Sequence, residues 1–207
     1  MFPYIRVKTI KTIKIRWSLK SDGLFSVASA RACIDRSLLP SSDTPTTWLA
    51  FLPGKVNIFL WRLIRDRLPH RLNLSSRGLA IQSISCGFCN QGVESLDHLF
   101  FSCSYAREVW RAVFIWVDRP FHGFSSWQEI LSWIDSLNGN VASKDCVFAI
   151  VVATLWMLWR LRNCLVFNDK SVKKCAVVDS IKFFSFAWLK FRAKRCVNGN
   201  DWLLSPL

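Results

Sequence analysis

The chain has 207 residues, with 28 Lys and Arg against 14 Asp and Glu, a formal charge of +14 at pH 7 and a pI near 9.9. Hydrophobic residues make up 51% and mean hydropathy is +0.21, which excludes disorder and a collagen-like or coiled-coil rod for the bulk of the chain. Eight cysteines in 207 residues are too sparse for a secreted disulfide miniprotein, and the N-terminus, MFPYIRVKTIKTIKIRW, has basic residues where a signal peptide has an apolar core.

From Ile13 to Lys20 apolar and polar residues alternate, which predicts a half-buried strand. Ser21-Asp22-Gly23 supplies a turn, and Leu24–Val27 is expected to return as the second strand of a β-hairpin. A short helix follows through Leu38, and Pro40–Thr47 (PSSDTPTT) reads as a linker. Val56, Phe59, Leu60, Leu63 and Ile64 then fall on one face of a helix over Lys55–Leu68, closed by Pro69. A second short helix is expected from about His70 to Arg77, with Gly78 as its C-cap. Further helices are predicted over Ser104–Val117, from the capping pattern Ser126-Trp127-Gln128-Glu129 to about Asn138, and over roughly 144–167 and 171–196. Cys146–Trp159 carries no charge over fourteen residues, about 21 Å of helix, which is short of a bilayer core and predicts a buried helix and no membrane span. The expected fold is mostly α with an N-terminal β-hairpin, helical bundle pieces surrounding a metal loop. The expected division is 1–47 (hairpin, helix and linker), 48–117 and 118–207 (C-terminal helical region).

That loop is the pattern Cys86-x2-Cys89-x8-His98-x4-Cys103. Two cysteines separated by two residues let a tight turn aim both thiolates at one ion, and a His and a Cys five apart approach from a helical turn and its exit. Three thiolates and one imidazole form a closed tetrahedral set, the preference of one structural Zn2+. A redox reading of Cys86-Gly87-Phe88-Cys89 needs a helix N-terminus after a strand, whereas Cys89 is followed by the turn Asn90-Gln91-Gly92. Cys33, Cys146, Cys164, Cys175 and Cys196 fit small apolar core positions, and His70 and His122 fit surface or loop positions.

The charge is uneven. Between Gly78 and Ser102 there is no Lys or Arg, and Glu94 and Asp97 add negative charge. Just before the loop, Lys55, Arg62, Arg65, Arg67, Arg71 and Arg77 stand against Asp66 alone. These six are the candidate nucleic-acid contacts, with RNA or DNA as the expected partner. Most aromatic rings fall at core spacing, with Trp61 and Trp159 beside arginines as the candidates for base stacking.

Several stretches resemble a known family. They are Pro53–Leu63 (PGKVNIFLWRL), Arg67–Gly78 (RLPHRLNLSSRG), the C-x2-C pair, Glu94–Phe100 (ESLDHLF), Cys103 and Val109-Trp110. Together they resemble the reverse-transcriptase zinc-binding domain of plant LINE-type (non-LTR) retrotransposons, over about residues 48–117. Gly23–Val27 and Trp159-Arg160-x-Arg162-Asn163 resemble flanking signatures of the same reading frames. The resemblance implies zinc ligation by Cys86, Cys89, His98 and Cys103 and a parent RNA-directed DNA polymerase, whose reverse transcriptase domain is a possible partner. Polymerase chemistry requires paired aspartates for two metal ions, and this chain has no Asp-Asp pair. The expectation is therefore an intracellular, non-secreted, non-catalytic zinc module of the nucleus or cytoplasm. The alternatives are a zinc-stapled structural or protein-interaction element, or a decayed retrotransposon fragment without activity.

Overall fold

Apolar spacings of three and four residues are realised as helix along most of the chain. The computed structural model describes residues 16–18, 21–38, 48–168, 174–194, 198–204 and 206. Among these lie α1 (Val27–Leu38), α2 (Gly54–Ile64), α3 (Arg71–Ser76), α4 (Ser104–Trp116), α5 (Trp127–Ser136), α6 (Val141–Asn168), α7 (Lys174–Ala187) and α8 (Gly199–Leu204). Two single π turns, His98–Ser102 and Trp188–Arg192, complete the helical elements. The chain divides into two compact units, Met1–Thr47 and Trp48–Leu207.

In the first unit the expected β-hairpin is not found. Residues 13–15, 19 and 20 of its first strand and the 40–47 linker lie outside the described residues. Leu24–Ser26 form no strand, and no strand occurs among the described residues. The reason is Ser26. Its hydroxyl accepts the Ser29 N–H at 3.2 Å while the Ser29 hydroxyl donates to the Ser26 carbonyl at 2.8 Å, so the serine starts α1 in place of extending a strand. The turn itself is present: Trp17 N–H donates to the Gly23 carbonyl at 2.8 Å, with Gly23 at φ +67°.

In the second unit the amphipathic faces are buried as their spacing dictates. Val56, Phe59, Leu60 and Leu63 of α2 are buried, while Ile64 is exposed because the helix ends there. Asn57 is buried too, its amide donating to the carbonyls of Leu49 (3.0 Å) and Leu52 (3.1 Å), which ties the segment before α2 to the helix. In α4 Val109, Trp110, Val113 and Phe114 face inward, and the Trp110 indole donates to the Phe100 carbonyl at 2.8 Å. Ser126 caps α5 by accepting the Glu129 N–H at 3.3 Å. The Glu129 carboxylate takes the Ser125 N–H at 2.7 Å and the Ser125 hydroxyl, contacts that hold it below the ordinary glutamate range.

Helix α6 runs for 28 residues, about 42 Å, well beyond its uncharged centre. By length and composition it is apolar enough to cross a membrane. Every residue from Ala149 to Leu155 is nevertheless buried within the protein, because α6 packs against α2, α4, α5 and α7. The helix expected over 171–196 stops short of that: α7 gives way at Trp188 to a π turn. Helix α8, which the spacing did not predict, seats Trp202 in the core. The Trp202 indole donates to the Lys182 carbonyl at 3.1 Å, and the Trp116 indole donates to the Trp202 carbonyl at 3.1 Å.

Candidate metal centre

Three local devices bring the four expected ligands together. The first is the turn after Cys86, in which Asn90 N–H donates to the Cys86 carbonyl at 2.9 Å and Cys86 N–H to the Gly92 carbonyl at 3.0 Å. Asn90 (φ +54°) and Gly92 (φ +79°) take the left-handed conformation that this reversal requires. The second is an isolated antiparallel bridge between Ser85 and Val93, which closes the loop. The third is the π turn. Five residues of regular α-helix would leave His98 and Cys103 about 140° apart around the axis. The i to i+5 bond from Cys103 N–H to the His98 carbonyl (2.8 Å) instead reels Cys103 back toward His98.

The four donor atoms lie within 4.8 Å of one another. The Sγ atoms of Cys86 and Cys103 are 3.8 Å apart, and Cys89 Sγ is 3.3 Å from His98 Nε2. A tetrahedral zinc with Zn–S of about 2.3 Å and Zn–N of about 2.0 Å places sulfurs about 3.8 Å apart and sulfur and nitrogen about 3.5 Å apart. The observed set fits a zinc site. His98 Nδ1 lies 3.4 Å from the Ser102 hydroxyl, which leaves Nε2 for the metal and gives the other ring nitrogen a partner.

The sulfurs are electrostatically prepared. Cys86 ionises at about 5, chiefly because Cys103 hydrogen-bonds to its thiolate, with the Cys89 and Phe88 amides assisting and burial opposing. The Cys103 thiol is pushed up, first by that bond to Cys86 and then by burial, although the Ala106 and Tyr105 amides at the start of α4 act the other way. Cys86 and Cys103 are buried, while Cys89 and His98 are half-buried. The exposed side opens on a small pocket of about 280 Å³. Arg107 and Arg111 line that pocket together with Glu108, so cations that the sequence reading did not single out stand beside the metal loop.

Glu94, counted in the sequence as a charge of the loop surface, is fully buried. Its Oε1 accepts from Arg162 Nη2 (2.7 Å), Arg162 Nε (3.1 Å) and the Arg71 N–H (2.8 Å). Its backbone carbonyl accepts the Leu72 N–H at 3.2 Å and faces His70 Nδ1 at 3.1 Å. This residue thus joins the metal loop to α3 and, 68 positions away, to α6. His70, expected at the surface or in a loop, is a buried N-cap: Nδ1 accepts the Asn73 N–H at 3.2 Å, and Nε2 lies 2.9 Å from Asp66 Oδ1. His122 is exposed as expected. Cys33, Cys146 and Cys164 are half-buried and do not join the cluster, while the side chains of Cys175 and Cys196 are outside the described residues.

Of the six candidate nucleic-acid contacts, Lys55, Arg62 and Arg71 line one groove of about 910 Å³ that Arg162 also borders. Arg71 gives one guanidinium nitrogen to the Ser85 carbonyl at 2.6 Å. Arg65 lies over the Trp61 ring at 5.5 Å, and Arg67 and Arg77 are exposed outside the groove. Trp159 is buried beneath the Arg162 guanidinium at 5.2 Å, so its ring is a core element.

Residues 25–110 match the family model described as zinc-binding in reverse transcriptase. A curated Arabidopsis thaliana protein named "Putative ribonuclease H protein" is 26% identical over 181 residues, 82% of this chain and 27% of that protein. The chain therefore spans about a quarter of that relative's length. No solved structure matches the chain. The four candidate ligands of the motif converge inside the segment that matches this zinc-binding family model.

Proposed function

We propose that the chain is a zinc-stabilised nucleic-acid-binding module derived from a LINE-type retrotransposon reverse transcriptase, holding one structural Zn2+ and performing no catalysis of its own. The observation that carries the metal assignment is the convergence of four protein donors within 4.8 Å. Four protein ligands fill a tetrahedral shell, whereas a catalytic zinc keeps a position open. Zinc supplies folding energy of about 10–16 kcal/mol in small structural sites, so its role here is to fix Glu94 and the α3 start in place. The nucleic-acid assignment is supported by the +14 charge and by the basic residues gathered on one groove. We place the protein inside the cell, in the nucleus or cytoplasm, with RNA or DNA as partner and without a membrane span.

Metal analysis of the purified protein is expected to give one zinc per chain, lost in Cys86→Ser and Cys103→Ser. Unchanged zinc in both variants would end the assignment. Oligonucleotide affinity is expected to fall steeply with salt, and salt-independent binding would remove the nucleic-acid role. The Glu94–Arg162 link favours a second reading, a zinc-stapled structural element that packs against another part of a parent protein. Full zinc content with no oligonucleotide binding at low salt selects that reading.

A further inference from the structure

We infer that a single-stranded nucleic acid occupies the groove between α2, α3, the 80–83 segment and the C-terminal half of α6, its phosphates on Lys55, Arg62 and Arg71 and a base against Phe167. The inference rests on the nucleic-acid reading above and names the surface that performs it.

Lys55 and Arg62 are exposed and seven residues apart on one face of α2, about 10 Å along the axis, so they can engage different phosphates of one strand. Arg71 keeps guanidinium N–H groups beyond the one bound to Ser85. Among the described residues no Asp or Glu lines the groove. Apart from the cations and Gln82, Ser83 and Asn163, its walls are apolar: Ile58, Val166 and Phe167 are exposed there, Phe167 at 75%. An exposed ring among cations is the combination that holds a strand whose bases are unstacked.

A duplex keeps its base faces inside, so it would meet these walls only with phosphate and sugar. An acidic amphipathic helix matches the groove's polarity, but the charge of +14 on the chain as a whole favours a dense polyanion over a peptide with a few carboxylates.

The test is fluorescence anisotropy of the zinc-loaded full chain with a single-stranded RNA of about 12 nucleotides, the matching duplex, and an acidic helical peptide as competitor. Lys55→Ala/Arg62→Ala is expected to weaken single-strand binding at least ten-fold and to flatten the log affinity against log salt slope by about 1.4. Phe167→Ala is expected to weaken it about five-fold or more and to leave that slope unchanged. Arg107→Ala/Arg111→Ala removes the same charge beside the metal loop and is expected to retain most of the affinity. All variants change exposed residues, and equal zinc content and helical circular dichroism establish that they fold. Loss confined to Arg107→Ala/Arg111→Ala, a duplex bound as tightly as the single strand, or displacement of RNA by the peptide at lower concentration each overturns the groove assignment. Failure of the unmodified protein to bind any oligonucleotide overturns the nucleic-acid reading itself.

Discussion

Replacing Arg162 with Met tests the link between the metal loop and the long helix. Arg162 and Glu94 are 3% and 0% exposed. Among the described residues Arg162 supplies two of the three hydrogen bonds to Glu94 Oε1, at 2.7 and 3.1 Å, and Oε2 has no hydrogen-bond partner. Hydrogen bonds to a charged group contribute about 1.5–3 kcal/mol each, so losing two costs about 3–6 kcal/mol. Removing one partner of a buried ion pair independently gives about 3–5 kcal/mol, because it leaves the other charge uncompensated. The two routes agree on roughly 4 kcal/mol, a large share of the 5–15 kcal/mol typical of a folded domain. In urea, with a slope of about 2 kcal/mol/M, this moves the unfolding midpoint down by about 2 M. Glu94→Gln/Arg162→Met removes both charges and leaves an amide that still accepts the Arg71 N–H, so it is expected to recover at least half of the loss. Glu94 lies between Cys89 and His98, so Arg162→Met is also expected to weaken zinc retention against a chelator. A loss under about 1 kcal/mol, or a double variant as unstable as the sum of the singles, refutes the coupling.

Three further outcomes follow from the site. Gly92→Ala places a Cβ 3.4 Å from His98 Cε1 at φ +79°, so a strain of about 1–2 kcal/mol is expected to lower zinc affinity about ten-fold in a chelator competition. Unchanged affinity would show that the turn does not position the imidazole. Zinc ligation needs thiolates; the hydrogen bond between Cys86 and Cys103 lowers the first thiol and, with burial, raises the second, so the pair still holds a proton at neutral pH. Zinc binding is therefore expected to release protons and to tighten as pH rises, and calorimetry in buffers of different ionisation enthalpy that found no release would contradict this. Trp110→Phe removes the only hydrogen bond from that side chain, the one to the Phe100 carbonyl, at an expected cost of about 1–3 kcal/mol in denaturant unfolding. A smaller change would show that the carbonyl finds another donor.

What the sequence revealed and what it hid have separate physical causes. Ligand spacing and helix periodicity are local, so the Cys86, Cys89, His98 and Cys103 set and the inward face Val56, Phe59, Leu60 and Leu63 were both legible. The hairpin failed because alternation competes with capping, and Ser26 with Ser29 resolved that competition as a helix start. The helix expected over roughly 144–167 is realised as α6, Val141–Asn168, because its long apolar run between Cys146 and Trp159 is equally local. The role of Glu94 was invisible because its partner stands 68 residues away. One signal pointed to it: Arg162 sits in a helix whose preceding residues are almost all apolar, and a cation there requires a buried anion.

The same link sets where the folding unit ends. Leu79, Ile84 and Val93 in the metal loop are exposed, so apolar burial of these side chains is not what holds the segment. Between Leu79 and His98 the buried residues are Cys86, a candidate metal ligand, and Glu94, whose charge is met by α6. The family match ends at residue 110, before α6 begins. A fragment of residues 48–117 keeps all four ligands but strands the Glu94 carboxylate and uncovers Phe59 and Phe100, which pack on Trp159 of α6. It is therefore expected to bind zinc more weakly than the full chain, by ten-fold or more, and to unfold without a cooperative transition. Adding Glu94→Gln to the fragment is expected to restore part of the zinc affinity, since the amide needs no counter-charge. Should residues 48–117 hold zinc as tightly as the full chain and unfold cooperatively, α6 would be a neighbour of the metal domain and not a part of it.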